Sequence, residues 1–410
     1  MLRRLFPLLV LGLLSGQAFA HSGVLGALTG LGSAEETEPG GDAALRPEML
    51  ERLQAVQQLL RQYKFAEALE SMRLIAAQSD LRPNETNILT LLRVMAAAGA
   101  DDPEQAAAAY AQAETAQLLT PLRRRDFADD ITGAYYRRHD YPNAVFWGKR
   151  YVADGGSESR VLALLAHALY QTNALAEAED IAAAVTSSEE KAGRSTPEAL
   201  WQVLANSALK QNHRPQAMAA LEKLVALYPR AAYWAVLVRL VTTQPGFPPA
   251  LSLDAGRLRL ALGLLDHPED VRELAQQALH AGFPAEAKHI LEAAPQVQDA
   301  TLRGKADKQA EEERRSWPSL LAEAKRSGKA PAQLATGWEG VCLGQTEEGL
   351  ALMEQALAQN PTSPNGWLHF GQAALAAGAV EKAKASFQRA SEGSTPEAQL
   401  ARLWILKLAS

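Results

Sequence analysis

One helix–turn–helix segment near the carboxyl end constrains the fold of this chain more than any other stretch. From Trp367 onward, large and small residues share one stripe of a first helix, which breaks at Gly378. Ala383 lies at the start of a second helix and is small enough to let this helix pack closely against the first. Phe387 fills the space beside the small residues, and Ala390 allows the next helix to approach. A single hairpin of this kind cannot bury its own apolar faces. The segment therefore predicts a stack of hairpins that presents a binding surface rather than a catalytic pocket.

The residue pattern of this hairpin resembles the tetratricopeptide repeat, whose period is about 34 residues. Weaker copies occur along the chain at spacings of 33 to 39 residues, apart from one spacing of 62. The resemblance implies an all-α fold, a right-handed superhelical solenoid of nine or ten tetratricopeptide-type hairpins. The small residues that are predicted to open the second helices are Ala68, Ala106, Ala144, Ala178, Ala217, Ala250, Ala287, Gly349 and Ala383.

The amino terminus has the pattern of a cleaved signal peptide. Arg3 and Arg4 precede an apolar run, and an A-x-A cleavage site follows at residues 18–20. The apolar run is shorter than the ~20 residues that a membrane-spanning helix needs. We therefore expect an exported protein with no stable membrane span after cleavage.

The rest of the chain is predicted to form helical blocks that differ in composition. The stretch 297–330 is highly charged and leaves two interpretations open. It is either a degenerate repeat with a solvated helix, which Trp317, Leu320 and Leu321 favour, or a flexible hinge. The predicted segments are a signal peptide (1–20), a flexible leader (21–45), an amino-terminal repeat block (46–296), the charged segment (297–330), a carboxyl-terminal repeat pair (331–395) and a capping helix (396–410).

Composition and motifs argue against several classes of function. A net charge of −6 disfavours nucleic-acid binding. The only cysteine, Cys342, excludes an intrachain disulfide and is expected to be a buried, inert thiol. No phosphate loop, H-E-x-x-H, C-x-x-C or G-x-S-x-G motif occurs. We therefore expect no enzyme activity and no catalytic, cofactor or metal site. Trp201, Trp234 and Trp367 match repeat positions and are expected to lie in the core.

Polar positions on the first helices are the candidate binding residues. Amide, aromatic and charged side chains on a rigid concave wall suit an extended peptide, whose backbone and carboxylates need hydrogen-bond partners. The alternative is that these positions only make the surface soluble. The candidate groove residues are Asp126, Asp129, Tyr136, Arg137, Arg160, His167, Tyr170, Gln171, Gln202, Asn206, Lys210, Arg272, Gln276 and His280.

Several longer phrases resemble one family of exported repeat proteins that accompany the ExbB–ExbD–TonB energy-transducing machinery. They are RPEMLERLQAVQQLLRQYKFAEAL, LYPRAAYWAVLVRL and ELAQQALHAGFPAEAKHILEAA, together with the closing ASFQRA and LARLWILKL. The resemblance implies an accessory protein in the periplasm of a Gram-negative bacterium, whose partners include components of that machinery. The alternative is a scaffold for envelope polysaccharide export or peptidoglycan assembly.

Overall fold

The computed structural model describes residues 45–409, and within that range the secondary structure is helical, with no strand. The predicted all-α, tetratricopeptide-like helical-repeat fold is confirmed. The predicted signal peptide and all but the last residue of the predicted leader lie outside the described residues. No helix in the described part of the chain combines the length and apolar character that crossing a membrane requires.

The chain divides into two compact units, and the division falls after Ala217, inside a helix. The predicted boundaries of the repeat blocks stay a prediction. In the first unit the helices pair in chain order, and the first helices of successive hairpins also pack on one another. Its helices are α1 (Pro47–Arg61), α2 (Phe65–Ala76), α3 (Pro83–Gly99), α4 (Pro103–Thr115), α5 (Pro121–Arg137), α6 (Tyr141–Ala153), α7 (Ser159–Gln171), α8 (Leu175–Lys191), α9 (Glu198–Lys210) and the start of α10 (Arg214–Leu227).

The second unit also contains hairpins, but one long helix stands between them, and the last helix packs on both ends of the unit. This last helix contacts the hairpin before it and also the helices Ala231–Thr242 and Ser252–Ala261. The helices are α11 (Ala231–Thr242), α12 (Ser252–Ala261), α13 (Pro268–His280), α14 (Pro284–Glu292), α15 (Ala300–Ser327), α16 (Ala330–Cys342), α17 (Thr346–Gln359), α18 (Pro364–Ala376), α19 (Val380–Ala390) and α20 (Pro396–Ala409).

The turns inside the hairpins share one backbone conformation. In the carboxyl-terminal hairpin the turn residue Gly378 has φ 75°, the left-handed region that glycine adopts without cost. The first unit uses other residues at the equivalent turns, and each accepts roughly 1–2 kcal/mol of backbone strain. These residues are Tyr63, Asp101, His139, Asn173 and Asn212, with φ values of 58°, 58°, 59°, 62° and 60°.

The small residues predicted to open the second helices are buried, with one exception. Eight of the nine, all but Ala250, lie in the core. The prediction for Ala250 is wrong, because it is exposed in a short 3-10 turn, Pro249–Leu251, that follows Pro248. Pro249 disfavours the α conformation for Pro248, which is extended, and α12 begins at Ser252, directly after the 3-10 turn.

The three tryptophans predicted to be in the core do not share one environment. Trp201 and Trp234 are buried, as expected. Trp367 is only half-buried, so that prediction is wrong in part. Its indole nitrogen donates to the carbonyl of Pro361 at 2.7 Å, and the guanidinium of Arg389 lies 4.4 Å from its ring centroid. The ring therefore covers a turn at the surface instead of filling the interior.

The charged segment forms a single helix of 28 residues, α15. It packs between α14 and α16 through one apolar side, on which Trp317 is buried, Leu321 is partly buried and Leu320 is exposed. The ring of Trp317 packs directly against Gly340 of α16. A Cβ on Gly340 would lie 2.6 Å from this ring, which is too close for any other residue. A glycine of α16 is thus what lets the long helix approach.

Close contact between α16 and α17 predicts a strong effect of one methyl group. A Cβ on Gly349 would lie 2.5 Å from the carbonyl oxygen of Gly337, which is backbone and cannot move aside. We expect Gly349→Ala to lower the free energy of unfolding of the second unit by about 1–3 kcal/mol or more. Urea denaturation and hydrogen exchange at α16 and α17 would measure the loss. The matched control is Gly304→Ala, where a Cβ meets nothing within 4 Å. Because this helical position is exposed, Gly304→Ala should raise the free energy of unfolding by about 0.5–1 kcal/mol. Equal effects of the two changes would contradict the packing argument.

Candidate functional site

Eleven of the fourteen predicted groove residues lie on three adjacent first helices of the first unit. These helices are α5, α7 and α9, and α7 packs against both of the others. Because side chains at the same height of neighbouring helices meet, the predicted positions contact one another across the helices. We call this surface the α5–α7–α9 face.

A hydrogen-bonded network forms the centre of the α5–α7–α9 face. The hydroxyl of Tyr136 lies 2.7 Å from Nδ1 of His167, and the amide nitrogen of Gln171 lies 3.0 Å from Nε2 of the same ring. An amide nitrogen only donates, so with this orientation Nε2 accepts and Nδ1–H donates to the tyrosine oxygen. In this arrangement the bond to His167 does not use the hydroxyl proton of Tyr136.

Burial keeps this network uncharged. His167 is 7% exposed, and the loss of solvation, with a smaller effect from His139, lowers its pKa to about 4. Burial likewise raises the pKa of Tyr136. The centre of the face is therefore a neutral donor–acceptor surface at physiological pH, which matches a peptide backbone better than a charged ligand.

Charged pairs lie on both sides of this neutral centre. Arg160 of α7 donates to Asp129 of α5 at 2.7 Å, and Arg137 donates to Asp101 at 2.5 Å. Asp126 accepts from Arg125 at 3.0 Å. Most of these groups are half-exposed, so each pair contributes little to stability, and its charges remain accessible to a partner.

The α9 side of the face differs from the prediction. Lys210 is exposed, and its ammonium lies 4.1 Å from the ring centroid of Tyr170, a cation–π contact at the surface. Gln202 and Asn206, in contrast, are 5% and 2% exposed. These two side chains are thus buried rather than open to solvent, and their contact with a partner stays a prediction.

The remaining three predicted residues belong to the second unit. Arg272 lies 3.5 Å from Asp299, while Gln276 and His280 are exposed on α13. They do not join the network of the first unit, and whether any of the fourteen residues contacts a partner stays a prediction.

A buried charged cluster in the second unit was missed by the sequence analysis. Arg257 of α12 is 9% exposed, and its guanidinium donates two hydrogen bonds of 2.7 Å to Glu286 of α14. It also donates to Asp254 at 3.0 Å and to Gln372 of α18 at 3.1 Å. His369 of α18 lies 3.2 Å from Asp254, so these side chains connect helices that are far apart in sequence.

The charges of this cluster stabilise one another. Burial raises the pKa of Asp254, but its hydrogen bonds with His369 and Arg257 outweigh that effect and leave the pKa lowered. Arg257 also stacks 4.0 Å from the ring centroid of Trp338, whose indole nitrogen donates to Glu286 at 2.9 Å. The only signal for this cluster in the sequence is an aspartate and an arginine three residues apart in the small, apolar run LDAGRL.

A second buried acid, Glu339 of α16, lies beside this cluster. It is 1% exposed and accepts a hydrogen bond from the backbone N–H of Ala285 at 2.9 Å. Burial, the carboxyl of Glu313 on α15 and the charge of Glu286 raise the pKa of Glu339 to about 9. The Glu313–Glu339 pair therefore shares a proton at neutral pH. Burial also raises the pKa of the half-buried Cys342 thiol, which keeps it protonated.

Metal-site geometry is absent from residues 45–409, where no group of three or more His, Cys, Asp or Glu side chains could hold an ion.

Residues 343–403 match the family model of the tetratricopeptide repeat, a segment that includes the hairpin from Trp367 to Ala390. The match to the tetratricopeptide repeat covers this segment of the chain. No curated protein matches the chain.

Solved repeat structures resemble the chain only distantly. The TPR2AB domain of yeast Sti1 in its complex with pHSP90 is 10% identical, the match covers 70% of this chain and 98% of that chain, and the TM-score is 0.25. The P58(IPK) TPR domain is 13% identical, with coverages of 88% and 97% and a TM-score of 0.23. Human IFIT1 bound to PPP-AAAA is 12% identical, with coverages of 82% and 80% and a TM-score of 0.25. Similarity at this level says nothing about the partner of this chain.

Proposed function

We propose that this protein is a periplasmic interaction scaffold whose α5–α7–α9 face binds an extended segment of a partner protein. Tetratricopeptide repeats are typical of scaffolds that bind proteins or peptides, which supports the general class. The observation that carries the proposed site is the network around His167, because it holds neutral hydrogen-bonding groups, the Tyr136 hydroxyl among them, in fixed positions on a three-helix wall. Arg160 and Lys210 add cations for the partner's carboxylates.

The proposed partner belongs to a TonB-type energy-transduction complex, so that the protein is an accessory of uptake through the outer membrane. The support is the resemblance of the sequence phrases and the signal-peptide pattern. Envelope polysaccharide export or peptidoglycan assembly is the second candidate, supported by the same export pattern and the same class of repeat.

Periplasmic crosslinking in the native host, followed by mass spectrometry, tests the function. We expect the wild-type chain to capture a component of the ExbB–ExbD–TonB machinery. The triple variant Tyr136→Phe, Arg160→Gln, Lys210→Gln should reduce capture at least tenfold, which corresponds to about 1.4 kcal/mol of binding free energy.

The matched control changes the same residue types away from the face, as Tyr63→Phe, Arg52→Gln, Lys64→Gln, all exposed in the first unit. It should capture the partner as the wild type does. Recovery of polysaccharide-export proteins alone would reject the TonB assignment, and undiminished capture by the first triple variant would reject the proposed face.

A further inference from the structure

A cavity in the second unit lies outside the α5–α7–α9 face. Its walls come from one side of α16, the last turn of α17, the first turns of α18 and the residue Phe283. Its volume is about 270 Å³. That is below the roughly 300–1,000 Å³ of sites that hold whole small molecules, whereas ~150 Å³ already accommodates a benzene ring. The size suits one large side chain.

The aromatic part of the wall is held from behind by the buried charged cluster. Trp338 lines the cavity and is fixed by the guanidinium of Arg257 and by its hydrogen bond to Glu286. His369 lines the same cavity and is fixed by Asp254. Side chains that are already immobilised lose little entropy when a ligand arrives, so the cavity is preformed for binding.

The lining indicates the chemistry of the occupant. Apart from His369, whose ring contacts Asp254, no residue of the lining has an ionisable side chain. A buried ion would have no counter-charge in the wall, so a charged occupant is disfavoured. Asn360 and Asn365 are exposed residues of the lining, and their side-chain amides can both donate and accept hydrogen bonds. They can therefore pair with the backbone N–H and C=O groups of a partner whose side chain enters the cavity.

We propose that this cavity binds a single aromatic side chain, uncharged and flanked by backbone amides, from a protein partner. The aromatic anchor would bury its ring against Trp338, Phe283 and Leu334, in the manner of the few residues that dominate many protein interfaces. The site uses different residues from the α5–α7–α9 face and belongs to the other unit, so each assignment can fail without the other.

Saturation-transfer NMR on the full chain tests the site with N-acetyl-L-phenylalaninamide as the probe and N-acetyl-L-lysinamide as its charged counterpart. We expect saturable binding of the first and at least tenfold weaker binding of the second. Ala335→Phe fills the cavity from α16 and should weaken binding of the aromatic probe at least tenfold. Ala332→Phe on the same helix is exposed and outside the lining, and should leave binding unchanged.

A second blocking variant, Asn365→Phe on α18, keeps the test decisive if Ala335→Phe disturbs folding. It should weaken binding of the aromatic probe in the same way, with an unchanged circular dichroism spectrum. Absence of saturable binding by the wild type, equal binding of the lysine probe, or binding unaffected by a folded blocking variant would each overturn the assignment.

Discussion

Replacing Arg257 with methionine is expected to lower the free energy of unfolding of the second unit by about 3–5 kcal/mol. Methionine preserves much of the apolar stem but removes five donors, and Asp254 and Glu286 then keep buried charges with no guanidinium between them. The cost arises from these uncompensated charges rather than from the lost attraction alone. Urea denaturation, with hydrogen exchange at α12 and α14 to localise the loss, measures it.

The control for this prediction is an arginine in an exposed ion pair. Arg315 lies 3.2 Å from Glu311 on α15, and its side chain is 75% exposed. Arg315→Met should change the free energy of unfolding by no more than about 0.5 kcal/mol, because solvent screens such a pair. A loss below about 1 kcal/mol in Arg257→Met would mean that water reaches the cluster and solvates its carboxylates.

Glu339→Gln is expected to make the protein more stable at alkaline pH and to flatten the dependence of its stability on pH. The pKa of Glu339 is about 9 in the folded chain, compared with 4.5 for an ordinary glutamate side chain. Between these values the folded state holds a proton that the unfolded state has released. Stability therefore falls as pH rises, by up to about 1.4 kcal/mol per pH unit for this group.

Glutamine preserves the local hydrogen bonds while it removes this titration. Its carbonyl oxygen can accept from the N–H of Ala285, and its amide can donate to the carboxylate of Glu313. Thermal unfolding between pH 5 and 9 should show a falling stability for the wild type and a much shallower slope for Glu339→Gln. Glu312→Gln, an exposed change on α15, is the control and should keep the wild-type slope. An unchanged slope in Glu339→Gln would contradict the proton-sharing pair.

The helical hairpins could be predicted because their signals are local. Each hairpin carries its own turn residue, such as Gly378 or Asn173, and its own small residue at the start of the second helix, such as Ala144. Both signals act within a single hairpin. Ala250 has the right size and spacing, yet it is exposed in a short 3-10 turn ahead of the helix. Spacing alone therefore overestimates the regularity of the repeats.

The candidate face could be predicted only in part. Helical spacing indicates that Tyr136, His167 and Lys210 share one side of successive first helices, and the structure brings Tyr136 and His167 into contact. The same spacing does not show how closely the neighbouring elements cover a given position. Asn206 has the spacing of an exposed residue and is nevertheless buried.

By itself the sequence determined the helices, their turns and the pairing of neighbours, because periodicity and turn chemistry act over one or two helices. Only the tertiary structure revealed that Arg257 meets Gln372 and that Asp254 meets His369, each 115 residues away along the chain. Such contacts depend on small angular offsets between successive helices, which accumulate over a whole unit and leave no periodic trace. The buried cluster and the cavity wall at Trp338 therefore could not be predicted from the spacing of residues in the sequence.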